Sequence, residues 1–313
     1  MNEAALVLVV GVIQAVFAAL DGLERWQSRR SRYAGERLEA RTVGFLTATL
    51  LVYLAIQVGL IRLAPTADAL LGFAGGLFPA GGRELGAAGV ALVALVAFYG
   101  GGLCDYLVHR FFNHSRWFWW THEYHHLPTQ VFVVMPGLAV RPFSVFTVVP
   151  TALVTVLLAA AVTAALGARL DSTPLALVVG ANAFVLTTSH SSFLRQWRWP
   201  HHLLRLAFIT TPDEHLVHHT VDRPGNYGNL TTLWDRVFGT YRDPALPENQ
   251  ARELGLGYDQ DFLGTLTFGR WKLPEAWRAR FQLARYCTLG GSPAPRGPAE
   301  SQFSANPRGG TRR

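Results

Sequence analysis

Apolar residues are grouped in long blocks separated by short polar stretches, rather than alternating or recurring every three or four positions. A helix crosses the hydrocarbon core of a bilayer with about 20 mainly apolar residues, and with about 17 at the short end of the range. The pattern therefore predicts five membrane spans, of which the fifth is the shortest: residues 4–20, 43–60, 85–103, 143–166 and 174–188.

The chain after residue 242 has the composition of a soluble segment. Within it, residues 275–286 (EAWRARFQLARY) show a helical pattern with Trp277, Phe281 and Leu283 near one side. Such a helix lies either on the membrane surface or against the soluble part of the protein, and the pattern favours neither. The tail beyond residue 290 is rich in Gly, Pro, Ser and Arg, which predicts disorder.

These differences predict four regions along the chain. Membrane helices and an arginine-rich loop occupy residues 1–84, and a region that contains every histidine occupies residues 85–242. A soluble C-terminal segment follows at residues 243–289, and a disordered basic tail ends the chain at residues 290–313. The expected fold is an all-α integral membrane bundle of about five spans with a histidine-rich cap.

Composition and charge support the membrane assignment. Charged residues make up only 16% of the chain, against about 25% in an ordinary soluble domain. The net charge of +7 could indicate nucleic-acid binding, but the arginine clusters are not interleaved with stacking aromatic residues. No nucleic-acid partner is therefore expected.

The arginines also predict an orientation, because loops rich in arginine stay on the cytoplasmic side. The loop after the first span is rich in arginine, whereas the loop after the second span has only Arg62 and Arg83. The first loop is therefore expected in the cytoplasm, and counting spans from there places residues 105–142 and 189–313 on the cytoplasmic side as well. A composition rich in Ala, Arg and Leu with almost no Lys indicates a bacterial inner membrane. The loop after the first span has six arginines: Arg25, Arg29, Arg30, Arg32, Arg37 and Arg41.

Eight of the eleven histidines form three motifs. Residues 109–114 form HX4H, and residues 122–126 and 215–219 each form HX2HH. On an α-helix, positions i, i+3 and i+4 lie within about 100° of one another, so each HX2HH directs three imidazoles to one side. Positions i and i+5 are about 140° apart. His109 and His114 can therefore share a target only where the helix ends, bends or bulges.

Eight imidazoles are twice what a four-coordinate zinc site uses, so the motifs predict a site for two metal ions. Residues 122–126 also read as HExxH, with Glu123 as general base of a membrane zinc metallopeptidase. That alternative leaves the second HX2HH without a role. Metal transport or haem ligation is a third hypothesis, but those histidines would lie within the spans or on facing helices.

The three motifs, with residues 222–228 (DRPGNYG) and 234–241 (WDRVFGTY), resemble the fatty acid hydroxylase/sterol desaturase superfamily over roughly residues 90–242. The resemblance implies a non-haem diiron enzyme that uses O2 to hydroxylate or desaturate a lipid such as a fatty acyl chain or sterol. It also implies a separate electron donor of cytochrome b5, ferredoxin or reductase type, because no such domain is evident in the chain.

Carried onto this sequence, the resemblance implies that the eight motif histidines hold the two iron ions. His190 matches an additional histidine often found in the family and is expected as a ninth ligand. His201 and His202 are less clear, and His202 is weakly favoured as a further ligand. The carboxylate of Asp105 is expected to accept a hydrogen bond from a ligand histidine and so orient its ring. The motif histidines are His109, His114, His122, His125, His126, His215, His218 and His219.

Overall fold

The computed structural model describes residues 15–16, 19–24, 26, 40–79, 81–129, 141, 143–191, 193–221, 224–249 and 254–283. Among these residues the regular structure is helical, with only isolated β-bridges. The membrane-region helices are α1 (Ala40–Ile61), α2 (Ala67–Leu77), α3 (Ala87–Leu107), α5 (Val145–Ala165) and α6 (Ser172–Thr188). Shorter helices are α4 (Glu123–His126), α7 (Arg198–Leu206), α8 (Pro212–His218), α9 (Leu233–Val237), α10 (Phe262–Leu266) and α11 (Glu275–Arg280).

Among the described residues, three helices are long and apolar enough to cross a membrane: Ala40–Leu60, Ala87–Asn113 and Val145–Ala165. They match the second, third and fourth predicted spans. The fifth predicted span is α6, which has 17 residues. Most of the predicted first span, residues 4–20, lies outside the described residues, as do most of the arginine-rich loop and the tail after residue 283. The prediction of a helical membrane bundle is confirmed.

Helix α2 was not predicted, because its sequence ADALLGFAGGL is shorter than a span and contains three glycines. Thr66 caps its first turn by accepting a hydrogen bond from the Ala69 backbone N–H at 3.2 Å. The helix packs against α5. The chain after α1 therefore returns to the bundle instead of forming an open loop.

Helix α3 is the centre of the bundle and packs mainly against α5 and α6. Glycines at positions 100–102 allow this close approach. A Cβ at Gly101 would lie 2.2 Å from Thr155 Oγ1, and one at Gly102 would lie 2.7 Å from Thr231 Cγ2. Because no side chain separates these surfaces, α3 can hold both a membrane helix and the loop that follows the last histidines.

The C-terminal segment packs against the first half of α1. Phe281 stacks on Phe45 with ring centroids 4.6 Å apart, and Leu283 is fully buried with Leu46 in the same cluster. Helix α11 ends at Arg280, earlier than the predicted end at residue 286. Trp277 is 51% exposed. Packing against the protein thus accounts for two of the three apolar residues on this segment.

Candidate metal centre

The HX4H motif lies on a π-helix, Val108–Asn113, which continues directly from α3. A π-helix is bonded from i to i+5, so residues five apart lie closer to the same side than they do on an α-helix. The His114 backbone N–H donates to the His109 carbonyl at 3.1 Å, and the Nε2 atoms of the two side chains are 3.2 Å apart. This is the bulge that the spacing requires.

The first HX2HH motif follows a 3-10 turn, Trp119–Thr121, and fills the short helix α4. His122 occupies the N-cap position, with a backbone φ of −125° and ψ of −16°. It therefore lies outside the regular turn that carries His125 and His126. All three imidazoles are buried.

The second HX2HH motif lies on α8, whose start is fixed by several capping interactions. Pro212 occupies the first turn, where its missing N–H is not needed. The Glu214 carboxylate accepts hydrogen bonds from the backbone N–H and the hydroxyl of Thr211. His215 and His218 lie on the helix, and His219 follows as its C-cap.

The structure brings nine histidines into two groups of candidate ligand atoms, and within each group these atoms lie within 4.8 Å of one another. We call them the first and second groups. All nine residues are buried. The first group contains His109, His114, His122, His126 and His218. The second group contains His125, His190, His215 and His219.

Nitrogen distances within the groups match metal coordination. His109 Nε2 lies 2.9 Å from His122 Nε2, and His215 Nε2 lies 2.9 Å from His190 Nε2 and 3.2 Å from His219 Nε2. With metal–nitrogen bonds of about 2.0–2.1 Å, two nitrogens at right angles around one ion are about 3 Å apart. The donor set therefore fits a metal ion in each group.

The two groups are adjacent, because imidazoles of one pack on imidazoles of the other. The ring centroid of His219 is 4.4 Å from that of His126, and that of His125 is 4.8 Å from that of His122. Since His126 belongs to the first group and His219 to the second, the arrangement suits a dinuclear site.

Backbone carbonyls orient two ligands of the first group. His109 Nδ1 donates to the Tyr227 carbonyl at 2.5 Å, and His218 Nδ1 donates to the Gly225 carbonyl at 3.0 Å. A neutral imidazole has one N–H, so both residues direct an unprotonated Nε2 into the group. His218 Nε2 and His126 Nε2 have no hydrogen-bond partner among the described residues.

These two carbonyls belong to a loop that Asp235 holds in place. Its carboxylate accepts from the backbone N–H groups of Tyr227 and Gly228 at 2.7 and 2.8 Å. A Cβ at Gly228 would lie 2.0 Å from the Thr231 carbonyl oxygen, so only glycine fits there. Asn226 has a left-handed backbone, with φ of 49°, a conformation in which asparagine is enriched. The NYG and WD motifs thus form one support for the first group.

Burial keeps the histidines outside the membrane helices neutral, which is the form that binds metal. Burial and the neighbouring histidines lower the pKa values of His122 and His126 well below the usual value. Burial lowers the pKa of His218 to about 4 and that of His190 to about 3. The positive charge of Arg141 also lowers the pKa values of His122, His190 and His218.

Arg141 is a feature that the sequence analysis missed. Its Nη2 lies 3.3 Å from His125 Nε2 and donates to Asn229 Oδ1 at 3.0 Å. Asn229 in turn donates from its backbone N–H and its amide to Asp105 at 3.0 Å. Asp105 therefore supports the site through Asn229 and Arg141. A single arginine after an apolar stretch has no pattern that would have identified it.

His201 and His202 lie outside both groups. His201 is buried and its Nδ1 bonds Asp213 Oδ2 at 2.9 Å. His202 is exposed on α7. The two residues are adjacent on a helix and point about 100° apart, so His201 faces the protein while His202 faces outward. The expectation that His202 joins the ligands is therefore not supported by its position.

Glu123, the candidate base of the HExxH alternative, is bound by the C-terminal segment. Its Oε1 accepts hydrogen bonds from the Tyr258 hydroxyl at 2.5 Å and the Gln260 amide at 3.2 Å. Burial raises the pKa of this carboxyl group. Because histidines on either side of Glu123 belong to both groups, the site does not have the composition of a mononuclear peptidase.

A small cavity of about 30 Å³ opens beside the first group. Trp119, from the aromatic run 117–120, lines it and packs on His114 with ring centroids 5.1 Å apart. Its indole N–H donates to the Tyr258 hydroxyl at 2.7 Å. Trp117 is exposed, so the aromatic run contributes both to the cavity wall and to the outer surface.

A family model described as fatty acid hydroxylase matches residues 94–240. This range contains all nine clustered histidines and the loop that orients them. Residues 94–240 thus match the fatty acid hydroxylase family, which is the fatty acid hydroxylase/sterol desaturase superfamily. Searches of curated proteins and of solved structures give no match.

Proposed function

We propose that this protein is a membrane-bound non-haem diiron oxygenase that hydroxylates or desaturates a lipid. The observation that carries the proposal is the pair of adjacent, buried groups of five and four histidines within the family region. Two neighbouring ions held mainly by neutral nitrogen donors suit oxygen chemistry better than hydrolysis by a single zinc ion.

The proposed ligands are the nine histidines of the two groups. His190, which lies just after α6, supplies the second group with a donor from outside the motifs. His202 is not included. Imidazole also suits zinc and copper, so the choice of iron rests on the family.

Two bound irons would supply the electrons that O2 needs to react with an unactivated C–H bond. Hydroxylation consumes one O2, two electrons and two protons, and yields the alcohol and one water. The backbone carbonyls of Tyr227 and Gly225 accept hydrogen bonds from Nδ1 of His109 and His218 and so fix their tautomers. The Nε2 atoms of both histidines are then free to bind metal. Trp119 and Tyr258, joined by a hydrogen bond, line one side of the cavity.

The proposed location is a bacterial inner membrane, with the site facing the cytoplasm. In support, Tyr53 of α1 stacks on Tyr124 beside the histidines, with ring centroids 3.6 Å apart. Phe45 also packs on the C-terminal segment. The start of α1, which follows the arginine-rich loop, is therefore on the histidine side. A separate cytoplasmic protein of cytochrome b5, ferredoxin or reductase type would supply the electrons.

The test is a count of iron and zinc in the detergent-purified protein. We expect about two irons per chain and loss of iron in His218→Ala. The matched control is His202→Ala, which changes an exposed histidine outside the groups and should keep the iron of the unmodified protein. A single zinc ion that survives His218→Ala would overturn the proposal. Product analysis with candidate lipids under O2 and a reductant then follows.

A further inference from the structure

Helix α7 has an inverted distribution of apolar and polar residues. Trp199, Leu203 and Leu206 are spaced i, i+4 and i+7, so they share one helix face. They are 64%, 58% and 78% exposed. The opposite face carries His201 and Arg205, which point into the protein. A helix on the water-facing surface of a soluble protein has its apolar side inward.

The inward face of α7 is fixed by ion pairs to α8. Arg205 Nε donates to the buried Glu214 carboxylate at 2.5 Å, and Arg205 Nη2 is 3.6 Å from Asp213. His201 Nδ1 bonds the same Asp213 at 2.9 Å. The side chain of Glu214 is fully buried, and that of Arg205 is 18% exposed. Because these polar groups are held inside, the apolar face must point outward.

The end of α7 lies beside a membrane helix. The Tyr99 hydroxyl of α3 donates to the Ala207 carbonyl at 2.5 Å. Tyr99 is four residues before the end of the predicted span at residue 103, or about 6 Å along a helix. Ile209 packs against the α3 cluster that includes Val93 and Ala97. The outward face of α7 is therefore continuous with the surface of a membrane-spanning helix.

We propose that α7 lies in the membrane interface on the histidine side and inserts Trp199, Leu203 and Leu206 into lipid. Interfacial helices bury an apolar face about 5–10 Å into the boundary between headgroups and acyl chains, and the span end predicted from the sequence at residue 103 places Tyr99 within that range. Tryptophan is enriched at this level. The same helix holds α8, which carries two of the clustered histidines and is capped by a third, so the lipid-contacting face and the histidine groups are supported by the same helix.

The test is a spin-label measurement in lipid nanodiscs. Single cysteines are placed at Leu203 and Leu206 in a chain without Cys104 and Cys287. Leu95→Cys in the third span is the lipid control, and Glu248→Cys, on the exposed surface, is the water control. We expect the labels at 203 and 206 to collide more with O2 than with a water-soluble nickel complex, as at position 95. The label at 248 should show the opposite.

Either of two outcomes would overturn the proposal. Preferential collision with the nickel complex would place the face in water, open to a soluble protein. Low collision with both reagents would mean that protein covers it, whether a second copy or another part of this chain. A second measurement avoids the cysteine substitutions and labels, which could disturb folding. Brominated lipids should quench tryptophan fluorescence less in Trp199→Phe than in the unmodified protein. Neither readout depends on metal or activity, so failure here leaves the proposed oxygenase intact.

Discussion

Both histidine groups take members from the two HX2HH motifs, but each of these motifs divides its histidines differently between the groups. The first HX2HH gives His122 and His126 to the first group and His125 to the second. The second HX2HH gives His218 to the first group and His215 and His219 to the second. Each motif therefore bridges both candidate metal positions. Neither HX2HH motif supplies all the histidines of a group, so each group combines histidines from both motifs with others.

The groups also differ in what surrounds them. The first is oriented by neutral backbone carbonyls from the Gly225–Tyr227 loop. The second has the guanidinium of Arg141 beside His125. A fixed dipole controls which nitrogen carries the proton, whereas a nearby positive charge acts on the charge of the bound ion. The comparison therefore separates a group whose candidate ligands are oriented by backbone carbonyls from a group with a guanidinium next to one candidate ligand.

The largest effect is expected from breaking one group at a time. His114→Ala removes a ligand from the first group only, and His190→Ala removes one from the second only. Each should leave about one iron per chain and lower activity at least about 100-fold, since even supporting residues cost 10–100-fold. Metal analysis and product formation measure both. Loss of both irons in either variant would indicate that the groups do not bind independently.

Asp235→Asn should weaken the first group selectively. The amide can accept fewer hydrogen bonds than the carboxylate, so the N–H groups of Tyr227 and Gly228 lose an acceptor. We expect metal affinity to fall about 10–100-fold and unfolding free energy to fall by about 1–3 kcal/mol. Chelator competition and thermal unfolding in detergent measure these.

The control for Asp235 is Asp171→Asn, which changes a carboxylate that caps α6 at an exposed position. It should cost about 1 kcal/mol or less and leave metal affinity unchanged. Equal losses of metal affinity in both variants would contradict a specific role for the Asp235 loop.

Arg141→Gln should change the second group without removing a ligand. A positive charge favours the reduced metal, so its loss should lower the reduction potential, by about 1–2 kcal/mol or roughly 40–90 mV. Arg141→Lys, which keeps the charge, should restore most of the shift. A redox titration followed spectroscopically makes the comparison. An unchanged potential in Arg141→Gln would leave Arg141 only a packing role.

The smallest effect is expected for Glu123→Gln. The amide oxygen can still accept from Tyr258 and Gln260, so iron content should be retained and stability should change by less than about 1.5 kcal/mol. Activity measured with the lipid substrate should stay within a few-fold of the unmodified protein. If activity disappeared while the metal stayed bound, Glu123 would be acting as a base and the peptidase alternative would return.

Much of the fold follows from the sequence because membrane spans are contiguous and apolar. The segments at 43–60, 85–103, 143–166 and 174–188 all correspond to helices. Helix α2 was missed because its 11 residues are too few for a membrane span and its glycines have a low helix propensity. The helix holds its position by packing against α5, which a local pattern does not report.

The histidine motifs predicted which residues meet, but not how they divide. Spacing on an ideal helix directs each HX2HH to one side, yet His122 and His219 lie at helix caps rather than within a turn. Gly225 and Tyr227 act through backbone carbonyls, and a sequence pattern describes side chains. Arg141 and Asn229 were missed because their roles depend on contacts between distant parts of the chain.

The π-helix at residues 108–113 has a consequence for which sequence changes the protein can tolerate. The π-helix contains one residue more than the α-helical turns it replaces. The direction in which the side chains of α3 face therefore differs from the direction that an unbroken α-helix would give relative to the histidines. Deleting one residue there and restoring an α-helix would turn α3 by about 100° relative to the histidines. Gly101 and Gly102 would then leave the neighbours that they fit. The rotational alignment of the whole bundle with its cap thus rests on a single extra residue.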